Sequence, residues 1–274
     1  MLAAVVLLAA YAWPHDAKAS SLEQRIPPPS GFTRDRVAER SFSAFLRQLP
    51  LKPGTPPVHL FNGQLKDNQS AHAAVFDIDV GATDLQQCAD SVIRLRAEYL
   101  YQAERFAELQ FHATSGDMLS FDRWRRGERP SLAHRHVVWK NSAPAGHDYA
   151  TFRAFLDVVF QYAGTHSLAT EMLPVADGAS LAPGEVFITG GFPGHVVIVL
   201  DRATNQKTGE VAVLLGQGYM PAQDFQLLRN PNDAALSPWY DASEMVPLRT
   251  PEWKFAAGSR RCFDQRDSAP KVVD

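Results

Sequence analysis

The sequence predicts an α+β fold, and three observations carry that prediction. The stretch TDLQQCADSVIRLRAEYLYQAERF, residues 83–106, repeats apolar residues at helical spacing. A second such stretch, DYATFRAFLDVVFQYAGTHSL, covers 148–168. Three β-branched runs then follow one another closely, PGEVFITGG, GHVVIVLDRA and VAVLLGQGYM, with the turn-forming ATNQKTGE between the last two. Helices first and hairpin-connected strands afterwards point to helices packed on an antiparallel sheet.

Size and composition agree with a folded chain. It has 274 residues, 45% of them hydrophobic and 21% charged, which is globular composition and enough for a substantial core. The formal net charge of −3 leaves no generally basic surface, so nucleic acid is not expected as a partner. The run Arg123-Trp124-Arg125-Arg126 reads as a solvated turn.

The opening MLAAVVLLAAYAW is apolar but too short for a stable membrane span. Ala17-Lys18-Ala19 has the small-x-small form that signal peptidase reads, so residues 1–19 are expected to be a signal peptide cleaved after Ala19, although a positively charged n-region is missing. No cysteine follows the apolar run, which argues against a lipid anchor. The mature protein is expected to be periplasmic or secreted, with no stable membrane span. Residues 20–40, rich in Pro and Ser, read as an extended arm with little to pack, and 41–274 as a single α+β domain.

The elements follow in order. SFSAFLRQLPLKPG places Phe42, Phe45, Leu46 and Leu49 at helical spacing and stops before its prolines. VHLF reads as a short strand, NGQ as a turn and AAVFDIDV, 73–80, as a strand. Thr83 with Gln86 three residues on has the form of a capping box, and Leu85, Cys88, Ala89, Val92, Leu95 and Tyr99 make one inward stripe behind it. HRHVVWK reads as a strand carrying His134 and His136 on one face; without a carboxylate or cysteine at ligand spacing, no metal is expected there. The second helix should end near Gly164. No Gly-rich phosphate loop, CxxC or GxSxG is present, so no cofactor is expected.

The chemistry lies in the order of three residues. A thiol becomes a nucleophile when a helix N-terminus and a neighbouring imidazole favour its ionised form. Cys88 stands near the start of a helix, His195 opens the strand GHVVIVLD on a turn rich in Gly and Pro, and Gln217 ends VLLGQ. If ATNQKTGE is a hairpin, positions 195 and 217 fall at the same end of an antiparallel pair, where Gln217 can orient the ring. Cys88 has two other readings, core packing and a disulfide to Cys262. Tyr219 and Gln223 follow Gln217 on a Pro-broken loop and are candidate substrate-binding residues. Arg94 is another, for a substrate carboxylate; a surface ion-pair face formed with Arg96 and Glu98 is the competing reading.

PGEVFITGGFPGHVVIVLD resembles the hairpin of NlpC-type and CHAP-type papain-like cysteine peptidases and amidases. The chain also resembles, over nearly its whole mature length, the family called domain of unknown function 4846. QCADSVIRLRAEYLY, GEVFITGGFPGHVVIVLD, GQGYMPAQDFQLLRNPN, SPWY and TPEW carry that likeness. The second resemblance brings no established activity. The first implies a papain-like (NlpC-type) core, with Cys88 as nucleophile, His195 as base and Gln217 as third member, acting on a peptide or peptidoglycan-like substrate. It departs from the pattern in having Gln87 and Ala89 beside the cysteine and, if Thr83 is the N-cap, in placing Cys88 more than one turn into the helix; a helix that starts at Gln87 restores the match. A non-catalytic envelope binding protein on a degenerate scaffold of this kind is the alternative reading.

Overall fold

Alternating β-branched residues and one short turn build the centre of the molecule. The computed structural model describes residues 13–16 and 18–263. A nine-stranded antiparallel sheet has as its main path seven strands: β1 (His72–Val75), β2 (Leu173–Pro174), β3 (Val186–Thr189), β4 (His195–Asn205), β5 (Val211–Gln217), β6 (Gln226–Leu228) and β7 (Arg260–Cys262). Their spatial order is β1-β6-β5-β4-β3-β7-β2. Neighbours in chain order, β3 to β6, lie side by side as hairpin connections require.

The β4–β5 hairpin turns at 206–210, as ATNQKTGE demands. Asn205 accepts the backbone N–H of Lys207 at 3.0 Å, and Thr204 pairs with Val211. A bulge between Val199 and Asp201 shifts the register, so that Ile198 faces Gly216. On one face of the sheet Val196, Ile198, Leu200 and Leu214 enter the main core. On the other, Val197, Val199, Val213 and Leu215 enter a smaller core with Phe187, Tyr240 and Phe255.

Four helices matter for the site: α1 (Phe42–Arg47), α2 (Cys88–Gln102), α3 (Tyr149–Tyr162) and α4 (Thr165–Glu171). Ser41 caps α1 by accepting the Ala44 N–H at 3.1 Å, and Asp148 caps α3 by accepting that of Thr151 at 2.7 Å. Gly164 separates α3 from α4, where the sequence places the break.

The structure corrects several expectations. Of the two starts that the sequence leaves open for α2, the Thr83 cap is the one that fails: the helix begins at Cys88 behind Gln87, and residues 83–87 are tight turns, with Leu85 N–H on the Thr83 carbonyl and Gln87 N–H on that of Leu85. Leu85 therefore lies outside the helix. From Cys88 to Leu100 the helix is buried on every side, charged residues included. Residues 20–40 are docked rather than loose: Leu22 is fully buried, and Phe32–Arg34 adds to the sheet beside Ala203–Asn205. Trp13 sits in the main core at 1% exposure, edge-on to Phe45, and its indole N–H donates to the Asp77 carbonyl at 2.8 Å. It belongs to the stretch expected to leave with a signal peptide; residues 1–12 lie outside the described residues. VHLF forms only isolated bridges, at His59 and Leu60. His136–Asn141 pairs with Glu128–Ala133 as an exposed hairpin that has His134 in its turn, so the two histidines share no strand face. Among the described residues, no helix is long and apolar enough to cross a membrane.

Candidate active site

Cys88 is the first residue of α2, directly after the Gln87 N-cap. Backbone N–H groups not used within a helix point outward at its N-terminus, and here those of Cys88 and Ala89 favour the ionised thiol. The N–H of Val196, next to His195 on β4, acts on the thiol in the same sense. The close approach of sheet and helix depends on Gly218: a Cβ there would lie 2.1 Å from Ser91 Oγ and 3.0 Å from the Gln87 carbonyl oxygen.

His195 opens β4, and its Nε2 lies 2.8 Å from Gln217 Oε1 at the end of β5. Register explains the pair. Because Ile198 faces Gly216, residue 197 is the one opposite Gln217, and His195 is the next residue on the same face, within diagonal reach. The ring is enclosed by Tyr219, Trp253 and Phe255, with centroids 4.8, 5.3 and 5.9 Å away. Its Nδ1 has no hydrogen-bond partner among the described residues.

His195 and Gln217 belong to the face of the smaller core, whereas α2 packs on the other face. Past the end of the strands, Cys88, His195 and Tyr219 line one cavity of about 680 Å³. Gly194, Phe192, Met220 and Trp253 line it as well, Phe192 at its rim with 93% exposure. Gly194 lets the turn close: a Cβ there would come within 2.3 Å of Thr165 Oγ1.

Burial sets the resting protonation states. It pushes the Cys88 thiol up to about 11, with the neighbouring Asp90 charge adding to the effect and the three backbone N–H groups opposing it. Burial likewise holds the His195 ring down at about 4, against the raising effects of Gln217 and Glu252. At neutral pH both groups are uncharged. Asp90, the third residue of α2, accepts the Gln87 N–H at 3.0 Å; its other oxygen is buried without a partner, and burial lifts its pKa to about 8.

The remaining candidates divide. Tyr219 lines the cavity. Gln223 is buried elsewhere, its Nε2 without a partner. Arg94 faces no cavity: it is fully buried, holding Glu98 at 2.6 Å, Asp79 at 3.0 Å and the Tyr149 hydroxyl at 3.0 Å. Both the substrate reading of Arg94 and the surface ion-pair reading give way to a buried charge network. Cys88 and Cys262 are both buried and are not bonded to one another, which removes the disulfide. Among the described residues, no three His, Cys, Asp or Glu side chains gather where they could hold a metal ion.

Sequence reasoning missed Glu252. Its carboxylate accepts the Gln217 Nε2–H at 2.7 Å and pairs with Lys66 at 2.6 Å, and Asn68 donates to its second oxygen at 3.2 Å. A turn from Thr250 to Trp253, closed by Thr250 N–H on the Trp253 carbonyl at 2.9 Å, presents it. TPEW reads as a tight turn in the sequence, but nothing local says where its glutamate points.

The chain matches the family model described as "Domain of unknown function (4846)" over residues 22–261. No curated protein and no solved structure matches it.

Proposed function

The chain belongs to the domain of unknown function 4846 family, and we propose that this protein is an exported cysteine hydrolase that cleaves an amide bond with a papain-like site. What supports the reading is one cavity lined by a cysteine at a helix N-terminus and by an imidazole whose Nδ1 is free, with a glutamine oxygen behind the ring on Nε2. Cys88 Sγ attacks the amide carbonyl while His195 Nδ1 takes the thiol proton. The N–H groups of Cys88 and Ala89 stabilise the oxyanion. His195 returns the proton to the departing amine as the C–N bond breaks. Water, deprotonated by the same ring, then hydrolyses the thioester and restores the thiol. Because thiol and ring both rest uncharged, proton transfer accompanies attack instead of preceding it as a standing ion pair.

A peptide, and for an exported protein a cell-wall peptide, is the substrate class proposed. That choice rests on analogy of fold and compartment. The test is cleavage of isolated peptidoglycan and of peptide amides by wild type, Cys88→Ala and His195→Ala. Activity retained in either variant removes that residue from the mechanism.

One observation favours a second reading, a binding protein on the same scaffold. A thiol only 6% exposed with its pKa raised to about 11 is not pre-activated. On that reading wild type and both variants bind peptide equally and cleave none.

A further inference from the structure

Cys88 and His195 line one cavity, but that alone does not say which ring nitrogen of His195 carries a lone pair. A neutral imidazole has two tautomers, and only the one protonated at Nε2 leaves Nδ1 able to accept a proton. Gln217 alone cannot choose between them, because its amide can turn either its oxygen or its NH2 towards the ring.

The choice is made one residue further back. The Glu252 carboxylate, paired with Lys66, has oxygens that only accept. The NH2 of Gln217 must therefore face Glu252, at 2.7 Å, and its carbonyl oxygen must face His195, at 2.8 Å. An oxygen in that place requires an N–H on Nε2. Lys66 and Glu252 are both close to fully buried, Asn68 holds the second carboxylate oxygen, and Lys66 lies over the Tyr219 ring that packs on His195. Along Lys66–Glu252–Gln217–His195 every donor is thereby assigned: Lys66 and Gln217 donate to Glu252, and His195 Nε2–H donates to Gln217.

We propose that Glu252, held by Lys66, is a positioning residue that fixes the Nε2–H tautomer of His195 and thereby makes Nδ1 the base for Cys88. Its role as base rests on the hydrolase reading; the tautomer does not. A merely structural ion pair would work equally well reversed. A polar director would not, because a lysine at 252 donates where glutamate accepts, so Gln217 turns over and Nε2 becomes the acceptor.

The experiment is ¹⁵N spectroscopy of the histidine rings in the full-length protein at pH 7, with the His195 signals assigned by their loss in His195→Ala. Wild type is expected to show a protonated Nε2 and a bare Nδ1. The double exchange Lys66→Glu with Glu252→Lys is expected to melt near the wild-type temperature, to show the opposite tautomer, and to lower the rate of Cys88 alkylation by iodoacetamide by about a hundredfold. Should the exchange not fold, Glu252→Leu, which only removes the acceptor, is expected to give a mixture of both tautomers. A wild-type ring protonated at Nδ1 overturns the proposal, as does an unchanged tautomer in the folded exchange or in the Leu variant. If the tautomers behave as stated while wild type cleaves no amide, the positioning claim stands and the hydrolase reading falls.

Discussion

His195 Nε2 lies 2.8 Å from Gln217 Oε1, and both side chains are almost wholly buried. A buried ring N–H that loses its acceptor keeps its desolvation cost without compensation, so this bond orients the imidazole and stabilises the fold together.

Replacing Gln217 with Ala should therefore be felt twice. Thermal unfolding should show a loss of about 1–3 kcal/mol. Alkylation of Cys88 by iodoacetamide at pH 7 should slow severalfold, because a ring with no acceptor on Nε2 holds neither a single tautomer nor a single orientation. An unaltered alkylation rate in a destabilised variant would reduce Gln217 to a structural role.

Acid stability reports on the same ring. His195 titrates at about 4 when folded and at 6.5 when exposed. As pH falls below 6.5, the unfolded chain takes up the proton first. The stability present above 6.5 is thus lost progressively down to about pH 4, by about 3 kcal/mol. Urea unfolding at pH 7.5 and pH 4 should show that loss in wild type and a smaller one in His195→Gln. Equal losses would mean that the ring is not held neutral.

The buried network around Arg94 makes a different prediction. Arg94→Met leaves Glu98 buried and unpaired, and should cost about 3–5 kcal/mol in urea unfolding. The double variant Arg94→Met with Glu98→Met should regain much of it. Peptide binding by the folded double variant should match wild type; weakened binding would return Arg94 to the site.

These residues also show what the sequence could reveal. The His195–Gln217 pair was legible because a short turn fixes which residues of a hairpin face each other. The start of α2 was not: Thr83 and Gln86 have the spacing of a capping box, but the Gln86 side-chain Oε1 accepts from Arg94 at 2.9 Å and the backbone turns. Arg94 and Glu98 have the i, i+4 spacing of a surface pair, and only tertiary packing buries them. Lys66 and Glu252 come from two loops, so no periodicity links them. Trp13 ends the apolar run of residues 1–13, and its place in the core depends on Asp77 and Phe45, far along the chain.

That last contact can be tested directly. Trp13→Ala removes a core side chain and should cost about 3–5 kcal/mol by denaturant unfolding. A chain beginning at Ser20 should be destabilised to a similar degree. If it is as stable as the full chain, Trp13 is dispensable to the fold.

The central claim is that Cys88 is a nucleophile served by His195. The most direct measurement is the intact mass and peptide map of the protein after incubation at pH 7 with a peptidyl vinyl sulfone, in wild type and in His195→Ala. The account predicts one adduct, on Cys88, absent from Cys262 and lost in the variant. An unmodified wild-type Cys88, or labelling that persists without His195, would contradict it.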